Sequence, residues 1–226
     1  MRTDSRIPHP VEHYSPERAQ QIVHNFASCL VKRRRALASA YILDRTSLSF
    51  DKYQKLADSG CAEDAFTDAN SDADVVELGM GGDAIRFALA EALLATEIDT
   101  INPAHLSGAA QLPVPPILPW SARQGSAQVR EKAMADDQAM ILWYKFGDCV
   151  VRDNPLASRT VLRSALGSTD EAAAMQALMP DFNSCVVKGT QLSLNRVSLH
   201  GALALAYYSL AHAPAAATTK PALSQR

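Results

Sequence analysis

The stretch Phe26-Ala27-Ser28-Cys29-Leu30-Val31-Lys32 returns further along the chain as Phe146-Gly147-Asp148-Cys149-Val150-Val151-Arg152. Both lie at the same displacement (149 − 29 = 120), and the match extends upstream, where Ala19, Ile22 and Phe26 answer to Ala139, Leu142 and Phe146. Steps of three and four residues between the matched positions place them on one face of an α-helix. A recurring helical face that carries a cysteine points to internal duplication, which decides how the rest of the chain is read.

Downstream of each cysteine the correspondence continues with the displacement changed by one residue. Leu37-Ala38-Ser39 with Ile42-Leu43 matches Leu156-Ala157-Ser158 with Val161-Leu162. Each copy then offers a helix start, Ser49 before Phe50-Asp51 in the first and Ser168-Thr169-Asp170-Glu171 in the second. The latter has the S-x-x-E form of a capping box, in which serine and glutamate side chains satisfy orphan backbone N–H groups. These helices are expected to run to Leu56 and Leu178, ahead of the second cysteines, Cys61 and Cys185. A closing helix follows in both copies: Ile85, Ala88, Leu89, Ala92 and Leu93 recur as Leu199, Ala202, Leu203, Ala206 and Tyr207.

The expected fold is therefore mainly α, as two tandem helical repeats. Repeat 1 covers residues 15–95 and repeat 2 residues 126–211, after a flexible N-terminus over 1–14. A Pro-rich linker over 96–125 holds Leu112-Pro113-Val114-Pro115-Pro116-Ile117-Leu118-Pro119-Trp120, where proline density forbids a helix and favours a polyproline-like path along the surface of a repeat. P-x-x-P spacings between Pro113 and Pro119 have the form that aromatic-lined grooves of partner domains accept, but packing against the protein's own surface is the favoured reading. From 212 to 226 the Ala/Pro/Thr-rich composition predicts a disordered tail.

Four cysteines allow three pairings, and the duplication selects Cys29 with Cys61 and Cys149 with Cys185, separated by 32 (61 − 29) and 36 (185 − 149) residues. Closing loops of this size is worth about 3.5 to 4 kcal/mol in the chain-entropy model. The competing reading keeps the four as reduced, small hydrophobes on the apolar stripe. Metal ligation is disfavoured, since neither C-x-x-C nor H-x-x-x-H spacing accompanies them, and no cofactor motif is present.

Composition restricts function more than it assigns it. The 226 residues are 47% hydrophobic with 22 Lys+Arg against 24 Asp+Glu, a balance that creates no field favouring nucleic acid or an anionic membrane. No apolar run reaches the roughly 18 to 20 residues that cross a bilayer, and the polar N-terminal residues lack a secretory apolar segment. Even-numbered cysteines at matched positions favour an oxidising compartment, periplasmic or exported, over the cytoplasmic alternative.

Candidate chemistry is sparse. Arg86 and His200 occupy the same place in the two closing helices and form a basic pair suited to a small anion, against the alternative of a solvated or acid-paired flank. The run Lys32-Arg33-Arg34-Arg35 has the composition of a nucleic-acid patch, but its counterpart Arg152-Asp153-Asn154 is not basic. At the end of a long helix it also complements the helix dipole. Leu78 to Asp83 is glycine-rich ahead of a helix, yet lacks the phosphate-loop patterns and reads as a helix-entry turn. No G-x-S-x-G or other nucleophile motif appears.

Phe146 to Arg152, Leu156 to Leu162, Cys185 to Lys188 and Leu199 to Tyr208 together resemble a group of small exported proteins of alphaproteobacteria with no assigned activity. The resemblance implies location and architecture only. The expected function is a non-enzymatic binding or structural role in the cell envelope, with protein as the partner class. Two rivals stand beside it: an enzyme or small-anion binder with its site in the cleft between the repeats, and a basic-patch nucleic-acid binder.

Overall fold

The computed structural model describes residues 16–46, 55–67, 82–117, 125–165, 167–186 and 195–215. Among these residues there are nine helices and no strand: α1 (Pro16–Leu43), α2 (Ser59–Thr67), α3 (Gly82–Leu94), α4 (Pro103–Ser107), α5 (Ala127–Asp153), α6 (Pro155–Arg163), α7 (Thr169–Ala177), α8 (Met179–Cys185) and α9 (Arg196–Ala211). None of the described helices is long and apolar enough to cross a membrane.

Two disulfide-stapled helical units are present. In the first, α1 packs on α2 and α3; in the second, α5 packs on α8 and α9. Cys29 of α1 is bonded to Cys61 of α2 with Cα atoms 5.5 Å apart, and Cys149 of α5 to Cys185 of α8 at 5.7 Å. No cysteine is free. The reduced-cysteine alternative is thereby set aside.

The correspondence extends to a break in the long helices. Proline cannot continue a helix, because it lacks the N–H and its ring crowds the preceding turn, so α5 ends at Asn154 and α6 begins at Pro155. Asn154 has φ −141° and ψ 73°; its Oδ1 accepts the Ala157 N–H at 3.1 Å and caps the new helix. At the position 120 residues earlier (154 − 34), Arg34 has φ −138° and ψ 41° inside α1, although no proline is there. The basic run thus lies at a kink from which the helix resumes, instead of closing it.

The units meet along α3 and α9. These were expected to bury one stripe, but Leu199 through Leu210 are all buried, and α3 is buried at every residue from Ile85 to Leu94 except Glu91. A helix that is apolar all round belongs in an interior, and small residues let it approach its neighbours closely. A Cβ at Gly201 would lie 2.4 Å from Phe87 Cβ, and one at Gly147 would lie 2.6 Å from the Ala202 carbonyl oxygen. Phe87, Trp143 and Phe146 continue the seam as edge-to-face rings, with centroids 6.5 and 6.0 Å apart. Such pairs favour the edge-on arrangement because positive ring edges meet negative faces.

The local starts follow the expected chemistry where it is visible. Ser168 Oγ accepts the Glu171 N–H at 3.1 Å, while Glu171 Oε2 reaches past the serine to accept the Gly167 N–H at 2.6 Å. Gly167 has φ +82°, a conformation glycine adopts without the steric cost a side chain imposes. The start proposed at Ser49 to Asp51, the N-terminal residues 1–14 and Leu78 to Gly81 lie outside the described residues. Cys61 sits inside α2 and Cys185 ends a separate short helix, α8, so neither simply follows the preceding helix.

Residues 96–125 were read as an extended linker, but they also contain α4. Asn102 caps it through the Ala104 N–H at 3.1 Å, and Pro103 supplies the first turn. Residues 212–215 were assigned to the tail. There Ala215 forms an antiparallel bridge with Ala109, and the Ala110 N–H donates to the Pro214 carbonyl at 2.8 Å.

Candidate functional site

Polar groups concentrate where α1, α3 and α5 converge. Arg45 follows α1, and its side chain is 1% exposed. It donates from Nη1 and Nη2 to the two oxygens of Asp148, each at 2.9 Å. Its guanidinium also lies over the Tyr144 ring, 4.1 Å from the centroid. Burial pushes the Asp148 carboxyl above its ordinary value, and this outweighs the opposing pull of Arg45.

Arg86 of α3 completes the cluster. Its Nη1 donates to the Tyr41 carbonyl and the Tyr144 hydroxyl, each at 3.1 Å, and its guanidinium lies 4.0 Å from the Tyr41 ring centroid. The carbonyls of Tyr41 and Asp44 belong to the last turn of α1 and the residue that follows, where unpaired acceptors and the helix dipole favour a cation. Burial raises the Tyr144 phenol above its ordinary value, so it is held as a neutral hydrogen-bonding group and not as a phenolate. Chemically, the arrangement is a closed polar lock.

His200, at the equivalent place in α9, is bonded through Nδ1 to Glu91 Oε1 of α3 at 2.8 Å, and both ends of this contact are largely buried. Arg86 and His200 therefore both stand at the contact between the units, each facing protein groups. The basic run is likewise engaged. Arg33 pairs with Asp58 at 3.2 Å and Asp64 at 2.9 Å, Arg34 with Asp58 at 3.0 Å, and Arg35 with Glu97 at 2.9 Å. The Arg34 hydrogen bond, helped by the Cys61 N–H and the two guanidinium charges, holds the Asp58 carboxyl below its ordinary value.

No protein-family model, curated protein or solved structure matches this chain. Its site must therefore be judged on geometry.

Two further arrangements were not singled out from the sequence. A groove of about 710 Å³ runs along α6 and the entry of α7, lined by Leu156, Arg159, Thr160, Arg163 and Asp170 among others. Arg159 and Arg163 both reach the same oxygen of Asp99, at 3.4 and 2.9 Å. Their i, i+4 spacing on α6 was readable, but the acceptor 60 residues earlier was not.

The other arrangement sets a carboxylate against each disulfide. Asp153 Oδ2 lies 3.7 Å from Cys149 Sγ and 3.6 Å from Cys185 Sγ, while Asp64 Oδ2 lies 3.9 Å from Cys29 Sγ. Cys149, Asp153 and Cys185 are close enough together to suit a metal ion. As a disulfide, however, the sulfurs are not the thiolates that bind one.

Proposed function

We propose that the chain is a non-enzymatic binding or structural protein of the cell envelope, exported to an oxidising compartment and built as two tandem copies of one stapled unit. The observation that carries this reading is the filled seam between the units. Gly147 and Gly201 leave no room there for even a methyl group, Arg45 is paired with Asp148, and Arg86 is hydrogen-bonded to Tyr144. A catalytic cleft between the repeats requires open space and convergent groups free to meet a substrate. The seam offers packed rings and a closed polar lock.

Export draws its support from the disulfides, which persist where thiols are not kept reduced, together with the resemblance to exported alphaproteobacterial proteins. Nucleic-acid binding through the basic run is disfavoured, because three of its arginines are paired with Asp58, Asp64 and Glu97, which offset its charge.

One observation favours a second reading, a small-anion binder: two guanidiniums converge on Asp99 beside the α6 groove. A thermal-shift screen separates the two. Any ligand that binds only the native state raises its melting temperature, so a flat response to phosphate, citrate and nucleotides is expected. A saturable rise that Arg159→Gln or Arg163→Gln removes would transfer the assignment to anion binding.

A further inference from the structure

Residues 109–117 combine anchoring and exposure with a period of three. Ala109, Leu112 and Pro115 are buried, whereas Pro113, Val114, Pro116 and Ile117 are exposed, and Val114 and Ile117 are each 39% accessible. A polyproline II helix has three residues per turn, and prolines at 113, 115 and 116 preset the φ it requires. One edge of such a helix is therefore laid on the protein and the other two face outward.

The start of this ridge is held firmly. Arg152 of α5 donates from Nη1 to the Ala109 carbonyl at 2.7 Å and from Nη2 to the Ala110 carbonyl at 2.6 Å, and the Ser107 hydroxyl donates to the Arg152 carbonyl at 2.8 Å. Ala110 is further tied to Pro214 at 2.8 Å. Fixing a ligand in its bound shape beforehand removes part of the ordering cost of association.

We propose that residues 111–117 form a preorganised polyproline II ligand whose exposed Pro113, Val114, Pro116 and Ile117 enter the aromatic-lined groove of a partner domain. Aromatic rings pack on proline rings and branched side chains, while indole N–H and phenol O–H groups donate to the ridge carbonyls. A second copy of this chain is a poorer occupant: among the described residues the large exposed hydrophobic side chains are Leu, Val, Ile and Met, with no aromatic to build the groove. This inference rests on reading the chain as an interaction protein and names its partner class.

The test titrates the full chain into isotope-labelled SH3 and WW domains and follows the groove tryptophan and tyrosine resonances. Saturable shifts confined to the groove of at least one domain are expected. Pro113→Ala with Pro116→Ala should weaken that binding at least tenfold with an unchanged melting temperature, and Ile117→Asp, an independent variant, should do the same. No saturable shift with any domain, or equal affinity of the variants, overturns the proposal. So does a dimer in sedimentation that Ile117→Asp dissolves, since that would make the ridge a contact between copies. The anion screen involves none of these four residues, so either result can fail without the other.

Discussion

Arg45 and Asp148, 103 residues apart in sequence, face each other through two parallel 2.9 Å hydrogen bonds inside the protein. The contact ties the end of α1 in one unit to the C-terminal part of α5 in the other. A buried pair of this kind has to offset the cost of taking both charges from water, so its contribution is best measured by breaking it and by replacing it whole.

Asp148→Ala or Arg45→Ala should each destabilise the protein by about 3 to 5 kcal/mol, because the remaining charge is buried without its partner. The double variant Arg45→Met with Asp148→Leu should recover most of that loss, as apolar side chains fill the space. Urea unfolding of the set provides the measurement. Single variants that match the parent would show that the pair does not secure the seam.

The close helix approaches predict a second set of effects. Gly201→Ala and Gly147→Ala drive a methyl group into Phe87 and into the Ala202 carbonyl respectively, and overpacking of this kind costs about 1 to 3 kcal/mol. Gly108→Ala, whose added carbon would lie 3.9 Å from the His105 carbonyl oxygen, is the internal control. Equal melting temperatures for all three would contradict the seam packing.

Two aspartates give opposite pH responses. The folded state holds the Asp58 carboxyl below the ordinary 3.8, so its stabilisation is present above that value and fades as pH falls through the depressed one. Asp148 is held above 3.8, so the folded state binds its proton more tightly than the unfolded chain. Its contribution declines as pH rises through the window above 3.8. Stability against pH for Asp58→Asn and Asp148→Asn should depart from the parent with opposite slopes; slopes of the same sign would refute the assignment.

The carboxylates at the disulfides predict an order of reduction. Asp64 is neutralised by Arg33 at 2.9 Å, whereas no described residue forms an ion pair with Asp153. A negative charge about 4 Å from an attacking thiolate costs about 1 kcal/mol in water, or about fivefold in rate. Cys149–Cys185 should therefore be reduced several times more slowly than Cys29–Cys61 at low salt, and Asp153→Asn should remove the gap. Timed alkylation with mass mapping gives both rates, and an Asp153→Asn rate equal to the parent's would dismiss the effect.

The helices were legible because Ile22, Phe26 and Cys29 repeat at the helical period, and the sulfur pairing because the same order returns in the second half. Ser168 was legible as a cap because its chemistry is local. The kink at Arg34 was not, since no proline or glycine marks it and its matching break at Asn154 owes its sequence signal to Pro155. Arg45 follows an aspartate and precedes a threonine, which reads as a solvated loop; only the arrival of Asp148 from a distant helix explains its burial. Asn102-Pro103 was a readable helix start hidden among the other prolines. The proline run itself carried its spacing in the sequence, but which edge faces outward depends on where Leu112 and Pro115 find cover.

Both sulfur bridges close on their own side of the α3–α9 contact, and no covalent bond spans it except the chain itself. Pulled from its two ends, such a molecule could draw no length from the loops from Cys29 to Cys61 and from Cys149 to Cys185, which stay locked and add nothing to its extension. Reduction would release those hidden lengths, turning a short, stiff tether into a longer one.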